Sequence, residues 1–251
     1  MTAPMDAEFD TVATWTEQAV AELGGEYAIA AACRGSGSPA GLRWLADALG
    51  VTPGVRMLDA GSGVGGPAAW LADRRGVRPV CAEPVRHAAA ASRRLFGLPV
   101  VAATAEALPF PAGTFDAAWC LGVLCTTVHK AAVLAGLRRV LRPGGRLGLL
   151  VYAATGPLTD PRPAGNAFPA AADLPALLAA AGFTVTAEAD TAELPPVPDS
   201  WHEHADRVER AMAARHGADP RWRQAHRQST RIARLLADGQ LRAALLSATA
   251  G

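Results

Sequence analysis

The sequence lacks several features that mark other protein classes. Its 251 residues include only four cysteines, which form neither a CxxC pair nor a metal-ligand spacing with histidine. We therefore expect no bound metal and no disulfide, as is usual in a reducing cytoplasm. No apolar run approaches the ~18 residues of a membrane span, and the first fifteen residues carry acids where a signal peptide needs basic residues. These absences predict a cytoplasmic protein without a membrane partner.

An excess of charge of one sign is also absent. Lysine and arginine total 24 and aspartate and glutamate total 23, so the net charge is only +1. Without a strongly basic surface the molecule has no overall field that attracts nucleic acid, and we expect no nucleic-acid partner. Half of the residues are hydrophobic, which is enough to bury the core of one large domain without disulfides or metals.

The order of the apolar runs predicts the fold class. From residue 51 onward, short apolar runs alternate with helix-length segments, a pattern typical of an α/β protein with a parallel sheet. The predicted strands are 55–60, 78–83, 99–103, 115–121, 146–153, 183–189 and 241–247, the last of them antiparallel at the sheet edge. The predicted helices are 11–23, 39–49, 65–75, 85–96, 130–141, 171–181, 199–216 and 220–238.

A glycine-rich loop follows the first predicted strand. Residues 57–66 read MLDAGSGVGG, in which an apolar strand leads directly into glycines and a helix starts after them. Glycine allows a tight turn and close approach of the backbone to a ligand, and the helix N-terminus presents N–H groups. Gly61, Gly63 and Gly66 also satisfy the GxGxxG dinucleotide pattern. The glycines alone therefore do not decide which nucleotide-like ligand is bound.

Two carboxylates near the loop distinguish the ligands. Asp59 lies just before the first glycine, where a buried anion repels a pyrophosphate and attracts a cation or an amino group. Glu83 ends the next predicted strand, about 20 residues after Gly61, where an acceptor for both hydroxyls of a ribose is expected. A nucleoside with a positively charged tail satisfies both conditions. S-adenosylmethionine fits that description, whereas NAD does not.

At these positions the sequence resembles class I S-adenosylmethionine-dependent methyltransferases, in particular those of quinone biosynthesis and small-molecule natural products. Four further segments are similar to motifs of that family and follow in the family's order. They are Glu83-Pro84 (the ribose-binding acid), 103–110 (ATAEALPF, the adenine segment), 115–122 (FDAAWCLG, the fourth strand) and 141–147 (LRPGGRL, the turn before the fifth strand). The resemblance covers roughly residues 40–190.

The resemblance implies a seven-stranded Rossmann-like methyltransferase sheet with an N-terminal helical cover and a C-terminal helical lid. Residues 1–50 would be the cover, and residues 51–251 the rest of the same domain, with the lid helices at about 199–238. The implied cofactor is S-adenosyl-L-methionine, and the implied reaction is methyl transfer to an N, O or C nucleophile of a small molecule. The residues placed at the cofactor are Arg34, Asp59, Gly61, Ser62, Gly63, Gly65, Glu83, Pro84, Thr104, Ala105, Glu106, Cys120 and Leu121.

The acceptor pocket would be formed by residues 1–40, 120–130 and 155–210. The sequence departs from the family pattern once in this pocket and once in the adenine segment. Thr104 stands where the adenine segment usually has an aspartate, and Cys125-Thr126 stands where many relatives have a Glu-His pair. The most common local base of the family is therefore missing. The remaining candidates for a catalytic group are Tyr27, His129 and His202, for each of which a surface position is the alternative.

Two other functions stay open at this point. The missing Glu-His pair is compatible with a protein that binds S-adenosylmethionine without transferring its methyl group. A nicotinamide-dependent oxidoreductase is the other reading of the GxGxxG loop. It is disfavoured because Lys130 is the only lysine and Thr126 stands four residues before it, so the Tyr-x-x-x-Lys pair of short-chain dehydrogenases is absent.

Arginines follow one face of the predicted helix 220–238. Arg223, Arg227 and Arg231 are spaced four residues apart, and no acid lies between residues 221 and 234. Such a face is either solvated, with the arginine stems over apolar surface, or a docking face for an anionic substrate or carrier domain.

Overall fold

The computed structural model describes residues 3–159 and 162–251. Residues 1 and 2 of the predicted cover, and residues 160 and 161 of the predicted pocket segment, lie outside the described residues. The strands are β1 (Met57–Ala60), β2 (Val80–Ala82), β3 (Val100–Val101), β4 (Phe115–Leu121), β5 (Leu141–Ala154), β6 (Phe183–Asp190) and β7 (Leu241–Ala250).

Nine α-helices are present in the described ranges. They are α1 (Ala3–Leu23), α2 (Ala28–Ala32), α3 (Pro39–Ala48), α4 (Gly66–Arg75), α5 (Arg86–Phe96), α6 (Lys130–Val140), α7 (Leu174–Ala180), α8 (Asp199–His216) and α9 (Pro220–Ala237). Short 3₁₀ helices cover Gly25–Tyr27, Ala171–Asp173 and Thr191–Glu193. Within those same ranges, no helix combines the length and the apolar character that crossing a membrane requires.

The seven strands form one sheet in the order β3-β2-β1-β4-β5-β7-β6. Strands β1 to β5 run parallel, and β7 is antiparallel to both β5 and β6. The strand order reverses between β1 and β4. In open α/β sheets, ligands bind outside the carboxyl ends of the strands at such a point. The predicted seven-stranded α/β sheet is confirmed.

The last strand lies inside the sheet, so its predicted place at the edge is wrong, although its antiparallel direction is right. Strand β7 pairs with β5 on one side and with β6 on the other. Almost every residue of β7 is buried, as expected for a strand that is covered on both faces. Strand β6 instead alternates exposed with buried or half-buried residues over most of its length. The period of each strand therefore distinguishes the inner strand from the edge strand.

The largest differences from the predicted elements lie at α1, β5 and α2. Helix α1 begins at Ala3, well before the predicted start at residue 11. Strand β5 begins at Leu141, which pairs with Phe115 before a register irregularity, so the turn at 142–145 lies within the strand and not before it. Helix α2 is absent from the sequence prediction because five residues are too short to show a helical period.

Two apolar layers hold β1 and β4 in the middle of the sheet. On one face, Leu58 of β1 packs in a cluster with Leu134 of α6. On the other, Trp119 of β4 packs in a cluster with Leu45 of α3. All four side chains are essentially inaccessible to solvent, and each buried leucine contributes about 1.5–3 kcal/mol. This packing fixes the strand ends from which the site is built.

The N-terminal helix joins the two helices α8 and α9, which we call the lid. Trp15 of α1 stacks on His216 at the end of α8 with ring centroids 4.2 Å apart. Trp15 also lies beside Trp222 of α9 at 6.3 Å. Surface ion pairs from Glu17 to Arg94 and from Glu22 to Arg215 connect α1 with α5 and α8. Helix α1 therefore packs against both lid helices and against α5.

Candidate functional site

A cavity of about 290 Å³ opens where β1, β2 and β4 end. One side, which we call the loop side, is formed by residues 61–64, 83–85 and 104–106. The opposite side, which we call the lid side, is formed by the segment after β4, by Tyr152 and Asn166, and by α9. Residues of α1 and of the turn after α2 complete the wall. The cavity therefore lies at the reversal point of the sheet, where the topology predicts a ligand.

The glycine loop has a backbone that only glycine tolerates. Gly61 and Gly65 have φ angles of +77° and +92°, a region that L-residues with a Cβ rarely adopt. A Cβ on Gly61 would also overlap Val123 Cγ2, whereas a Cβ on Gly63 would meet nothing within 4 Å. Because Gly63 lines the cavity, bare backbone forms part of the cavity floor, and a ligand can approach it closely.

Glu83 is buried at the end of β2 and holds the glycine loop in place. Its Oε2 accepts a hydrogen bond from the Gly63 N–H at 2.7 Å, and its Oε1 accepts one from the Val85 N–H at 2.8 Å. Only 5% of the residue is exposed, yet it lines the cavity. A carboxylate offers about four acceptor positions. Glu83 can thus pin the loop and also accept hydroxyl groups of a ligand, a double role that its sequence position did not indicate.

Asp59 lies beneath the cavity and not in its wall. It is 1% exposed, and in the described part of the chain its Oδ2 has no hydrogen-bond partner. Burial raises the pKa of Asp59 to about 7, the indole N–H of Trp119 opposes this rise, and the charge of Glu83 adds to it. Trp119 is the register neighbour of Asp59 on β4, but the two side chains do not reach hydrogen-bond geometry. Asp59 does not line the cavity, so the structure gives no direct contact between its carboxyl group and a ligand there, contrary to the prediction.

The predicted adenine segment forms the far end of the loop side. Thr104, Ala105 and Glu106 all line the cavity. The Thr127 hydroxyl lies 3.4 Å from Glu106 Oε1 and can donate a hydrogen bond to it. Gly136 of α6 packs against the Ala105 carbonyl so closely that a Cβ would overlap it. This close packing fixes the segment against α6.

Ten of the thirteen predicted cofactor residues line the cavity together. They are Arg34, Gly61, Ser62, Gly63, Glu83, Pro84, Thr104, Ala105, Glu106 and Leu121. The exceptions are Asp59, Gly65 and Cys120. Gly65 precedes α4 and faces Ser92 and Leu98, and Cys120 is fully buried in a core cluster. Neighbouring residues of a strand face opposite sides, which explains why Leu121 reaches the cavity and Cys120 does not.

None of the three candidate catalytic residues lines the cavity. Tyr27 packs edge-on against His204 of α8, with ring centroids 4.9 Å apart. His129 and His202 are exposed, at the start of α6 and in the first turn of α8. The sequence placed these residues near the pocket by segment, but the side chains turn elsewhere. A catalytic role for them is therefore not supported by the geometry.

On the lid side, burial raises the pKa of two side chains. Tyr152 donates a hydrogen bond to the Gly35 carbonyl at 3.4 Å, and burial raises the pKa of its hydroxyl to about 12. Cys125 donates to the Gly122 carbonyl at 3.1 Å, and burial raises the pKa of its thiol to about 11. Both groups are protonated at neutral pH. Among the described lining residues, this side offers no histidine, lysine or carboxylate.

The lid wall comes from α9 and not from α8, which corrects the predicted pocket segment 155–210. Within that segment, of the residues described, only Ala164 and Asn166 line the cavity. Arg34 donates a hydrogen bond to Ser229 Oγ at 2.6 Å and so links the turn after α2 to α9. The remaining lining residues of α9 are Ala225, Gln228 and Ile232. Their spacing of three and four residues, opposite the arginine face, is the sequence signal that points to this wall.

The arginine face of α9 is directed to solvent. Arg223, Arg227, Arg231 and Arg234 are all exposed. Arg223 donates to the Ala218 carbonyl at 2.7 Å. The geometry thus agrees with the solvated reading of these arginines and adds no observation in favour of docking.

Comparison with known proteins relates this geometry to named relatives. Residues 58–149 match a family model described as a methyltransferase domain. A demethylmenaquinone methyltransferase from Beutenbergia cavernae is 43% identical over 101 residues, which are 40% of this chain and 42% of that protein. The chain thus matches less than half the length of the curated relatives it resembles.

Solved structures share the fold over a longer stretch. The phosphoethanolamine N-methyltransferase 2 of Haemonchus contortus, in complex with S-adenosyl-L-methionine, aligns with a TM-score of 0.70 at 16% identity. That alignment covers 96% of this chain and 57% of the other. The [4+2]-cyclase SpnF aligns with a TM-score of 0.66 at 24% identity, covering 83% and 79% of the two chains. At these identities the likeness shows the fold alone.

Proposed function

We propose that this chain transfers a methyl group from S-adenosylmethionine to a small-molecule acceptor. Residues 58–149 match a methyltransferase domain, and the fold is shared with a methyltransferase solved with that cofactor. The observation that carries the proposal is the buried Glu83 carboxylate, which is bonded to the glycine loop and forms part of the cavity wall. The N-terminal cover, the sheet and the lid act as one domain around this cavity.

The residues of the loop side fit S-adenosylmethionine. The bare backbone at Gly63 leaves room for close approach, and Glu83 can accept the ribose hydroxyls. Thr104 to Glu106 would border the adenine ring, and Arg34 would pair with the methionine carboxylate.

The bound cofactor would supply an electrophilic methyl group on a positively charged sulfur. The chain's own residues would align the acceptor and exclude water, which is what such a transfer chiefly requires. Apolar residues of α1 and α9, among them Val12, Ala13 and Ile232, supply the dry wall. Because Tyr152 and Cys125 hold their protons, neither would serve as a base. The acceptor therefore attacks with a nucleophile that needs no prior deprotonation.

The acceptor belongs to the small-molecule class. The curated relatives are named for demethylmenaquinone and for ubiquinone and menaquinone biosynthesis, and we propose a reduced aromatic acceptor of the same general kind. Attack through an electron-rich ring carbon is consistent with a lid side that offers no base, because the ring carbon bonds the methyl group as the sulfur–methyl bond breaks, and its proton leaves only afterwards, to solvent. The near-zero net charge supports an enzyme without a nucleic-acid partner, and we propose that it acts in the cytoplasm.

Parallel calorimetric titrations test the proposal. Purified protein is titrated with S-adenosylmethionine, S-adenosylhomocysteine and NADH, and we expect binding of the first two only. The protein is then incubated anaerobically with S-adenosylmethionine and a panel of reduced naphthoquinones, phenols and amines, and the products are examined for the mass of one added methyl group. Binding of NADH alone contradicts the cofactor assignment. Cofactor binding without methylation across the panel favours a non-methylating protein.

A further inference from the structure

Helix α9 presents two polar side chains to the cavity. Ala225, Gln228, Ser229 and Ile232 form its inner face. Ser229 is already bonded to Arg34 at 2.6 Å. Gln228 differs, because its Oε1 is shielded from solvent and has no hydrogen-bond partner in the described part of the chain. A buried carbonyl oxygen without a donor is destabilising and rare in folded proteins, so it requires an explanation.

Three side-chain donors of the cavity wall are engaged elsewhere. The Thr16 hydroxyl donates to the Val12 carbonyl at 2.8 Å. The Tyr152 hydroxyl donates to the Gly35 carbonyl at 3.4 Å, and the Arg34 guanidinium reaches Ser229. The amide oxygen of Gln228 therefore has no donor within the described part of the chain. Because the side chain lines the cavity, rotation about its terminal bonds can turn this oxygen toward a donor from outside the chain.

The position of α9 indicates which molecule supplies that donor. Helix α9 packs against α1 and β7, and β7 lies on the opposite side of β1 from β2 and β3. The residues that fit the ribose and the adenine, Glu83 and Thr104 to Glu106, follow β2 and β3. Gln228 therefore lies on the side of the cavity away from the adenosine, with the lid-side residues that would surround the acceptor.

We propose that Gln228 is a specificity-determining residue that accepts a hydrogen bond from a hydroxyl or N–H group of the acceptor. This inference rests on the proposed function and narrows it. The acceptor must carry a hydrogen-bond donor at a distance from the methylated atom, so a hydroxylated ring is bound more tightly than the same ring with its hydroxyls capped. A site built to bond a donor rejects analogues that lack it, because the buried oxygen then stays unpaired.

The test compares Gln228→Met, which removes the amide with little change of shape, with Gln228→Glu, which keeps an acceptor oxygen. Gln224→Met, the same change on the exposed outer face of α9, is the matched control. Each protein is loaded with S-adenosylhomocysteine and titrated anaerobically with 1,4-dihydroxynaphthalene and with 1,4-dimethoxynaphthalene. Thermal unfolding without ligand shows whether each variant is folded.

We expect Gln228→Met to bind the dihydroxy probe about tenfold more weakly, in line with loss of one hydrogen bond. Its affinities for the dimethoxy probe and for S-adenosylhomocysteine should be unchanged, and its unfolding midpoint should be equal or slightly higher. Gln228→Glu should retain the preference for the hydroxylated probe, and Gln224→Met should match the unaltered protein.

Three results overturn the inference. The first is that the unaltered protein binds the two probes equally or binds neither. The second is an unchanged affinity of Gln228→Met for the dihydroxy probe. The third is an equal loss of S-adenosylhomocysteine affinity in that variant, which would assign Gln228 to the cofactor. Failure of the unaltered protein to bind S-adenosylhomocysteine is a separate result, because it refutes the proposed function and not only the role of Gln228.

Discussion

The loop side and the lid side of the cavity are built by different means. On the loop side, backbone N–H groups and one carboxylate are bonded to one another over short distances along two neighbouring strand ends. On the lid side, residues from the segment after β4, from β5 and from α9 meet only because distant elements pack against one another. Polar groups that are fixed by the backbone suit a cofactor with many hydroxyl and amino groups.

This difference indicates which side of the cavity determines specificity for the acceptor. A loop side whose geometry depends on glycine and on one buried acid tolerates little change, since a Cβ or a lost charge alters the backbone itself. A lid side made of side chains on separate helices can be altered residue by residue while the sheet stays intact. The same fold can therefore keep its cofactor and change its acceptor.

The largest expected effect is that of Glu83→Ala. It removes the acceptor of two backbone N–H groups together with the proposed ribose acceptor, so the affinity for S-adenosylhomocysteine should fall about 100-fold and the free energy of unfolding by about 3 kcal/mol. Calorimetry and urea denaturation measure the two quantities. Glu203→Ala, at an exposed position of α8, is the control. A folded Glu83→Ala protein with full affinity would show that the loop side does not hold the cofactor through this acid.

Gly61→Ala should have the next largest effect. A residue with a Cβ is strained at a φ of +77°, and the new methyl group overlaps Val123 Cγ2. We expect a loss of about 1–2 kcal/mol in unfolding free energy and weaker cofactor binding. The double variant with Val123→Ala should recover the steric part and not the backbone part. Gly156→Ala, at a position with open space and no positive φ, should be neutral, and equal stability of the two single variants would contradict the explanation.

Asp59 should give an effect on stability that depends on pH. Its pKa is about 7 in the folded protein and about 4 in the unfolded chain, so between these values the folded state keeps a proton that the unfolded state has lost. The free energy of unfolding should therefore fall by about 1.4 kcal/mol per pH unit as the pH rises from about 4 to 7, and then level off. Denaturation curves of Asp59→Asn should be flatter over this range. A parallel pH dependence in both proteins would assign the slope to other groups.

The smallest effect is expected for Ser229→Ala. It removes the hydrogen bond from Arg34 to the lid, which is exposed, so the free energy of unfolding should change by less than about 1 kcal/mol. The affinity for S-adenosylhomocysteine should stay within about twofold, because the loop side is untouched and Arg34 keeps the guanidinium proposed to pair with the methionine carboxylate. A large loss of affinity would show that the two sides of the cavity depend on each other, and would break the comparison drawn above.

The loop side can be predicted from the sequence better than the lid side, and the reason is physical. Gly61, Gly63 and Glu83 are constrained by the backbone close to them, and such constraints leave a local pattern. Tyr152 and Gln228 carry no local pattern of that kind, because their place in the cavity depends on how β5 and α9 pack against distant elements. Asp59 shows the limit of the local signal, since the sequence placed it at the loop but not beneath it.

The fold follows the same division. The parallel strands and the order of helices are set by apolar runs that can be read along the chain. The place of β7 between β5 and β6 depends on which strands it pairs with. Only its nearly continuous burial indicates that it is an inner strand. The Pro-Gly-Gly turn at 143–145 shows the same limit at smaller scale, because strand pairing with Phe115 draws Leu141 into β5.

The place of β7 also constrains how the chain can acquire its structure during synthesis. A ribosome makes β6 first, then the two helices of the lid, and β7 only afterwards. In the described sheet β6 pairs with β7 and with no other strand, so β6 emerges with its ladder groups unmatched and waits for about fifty residues of translation. At a rate of roughly 5–20 residues per second, that interval lasts seconds, during which a chaperone or another nascent chain can reach the unpaired strand.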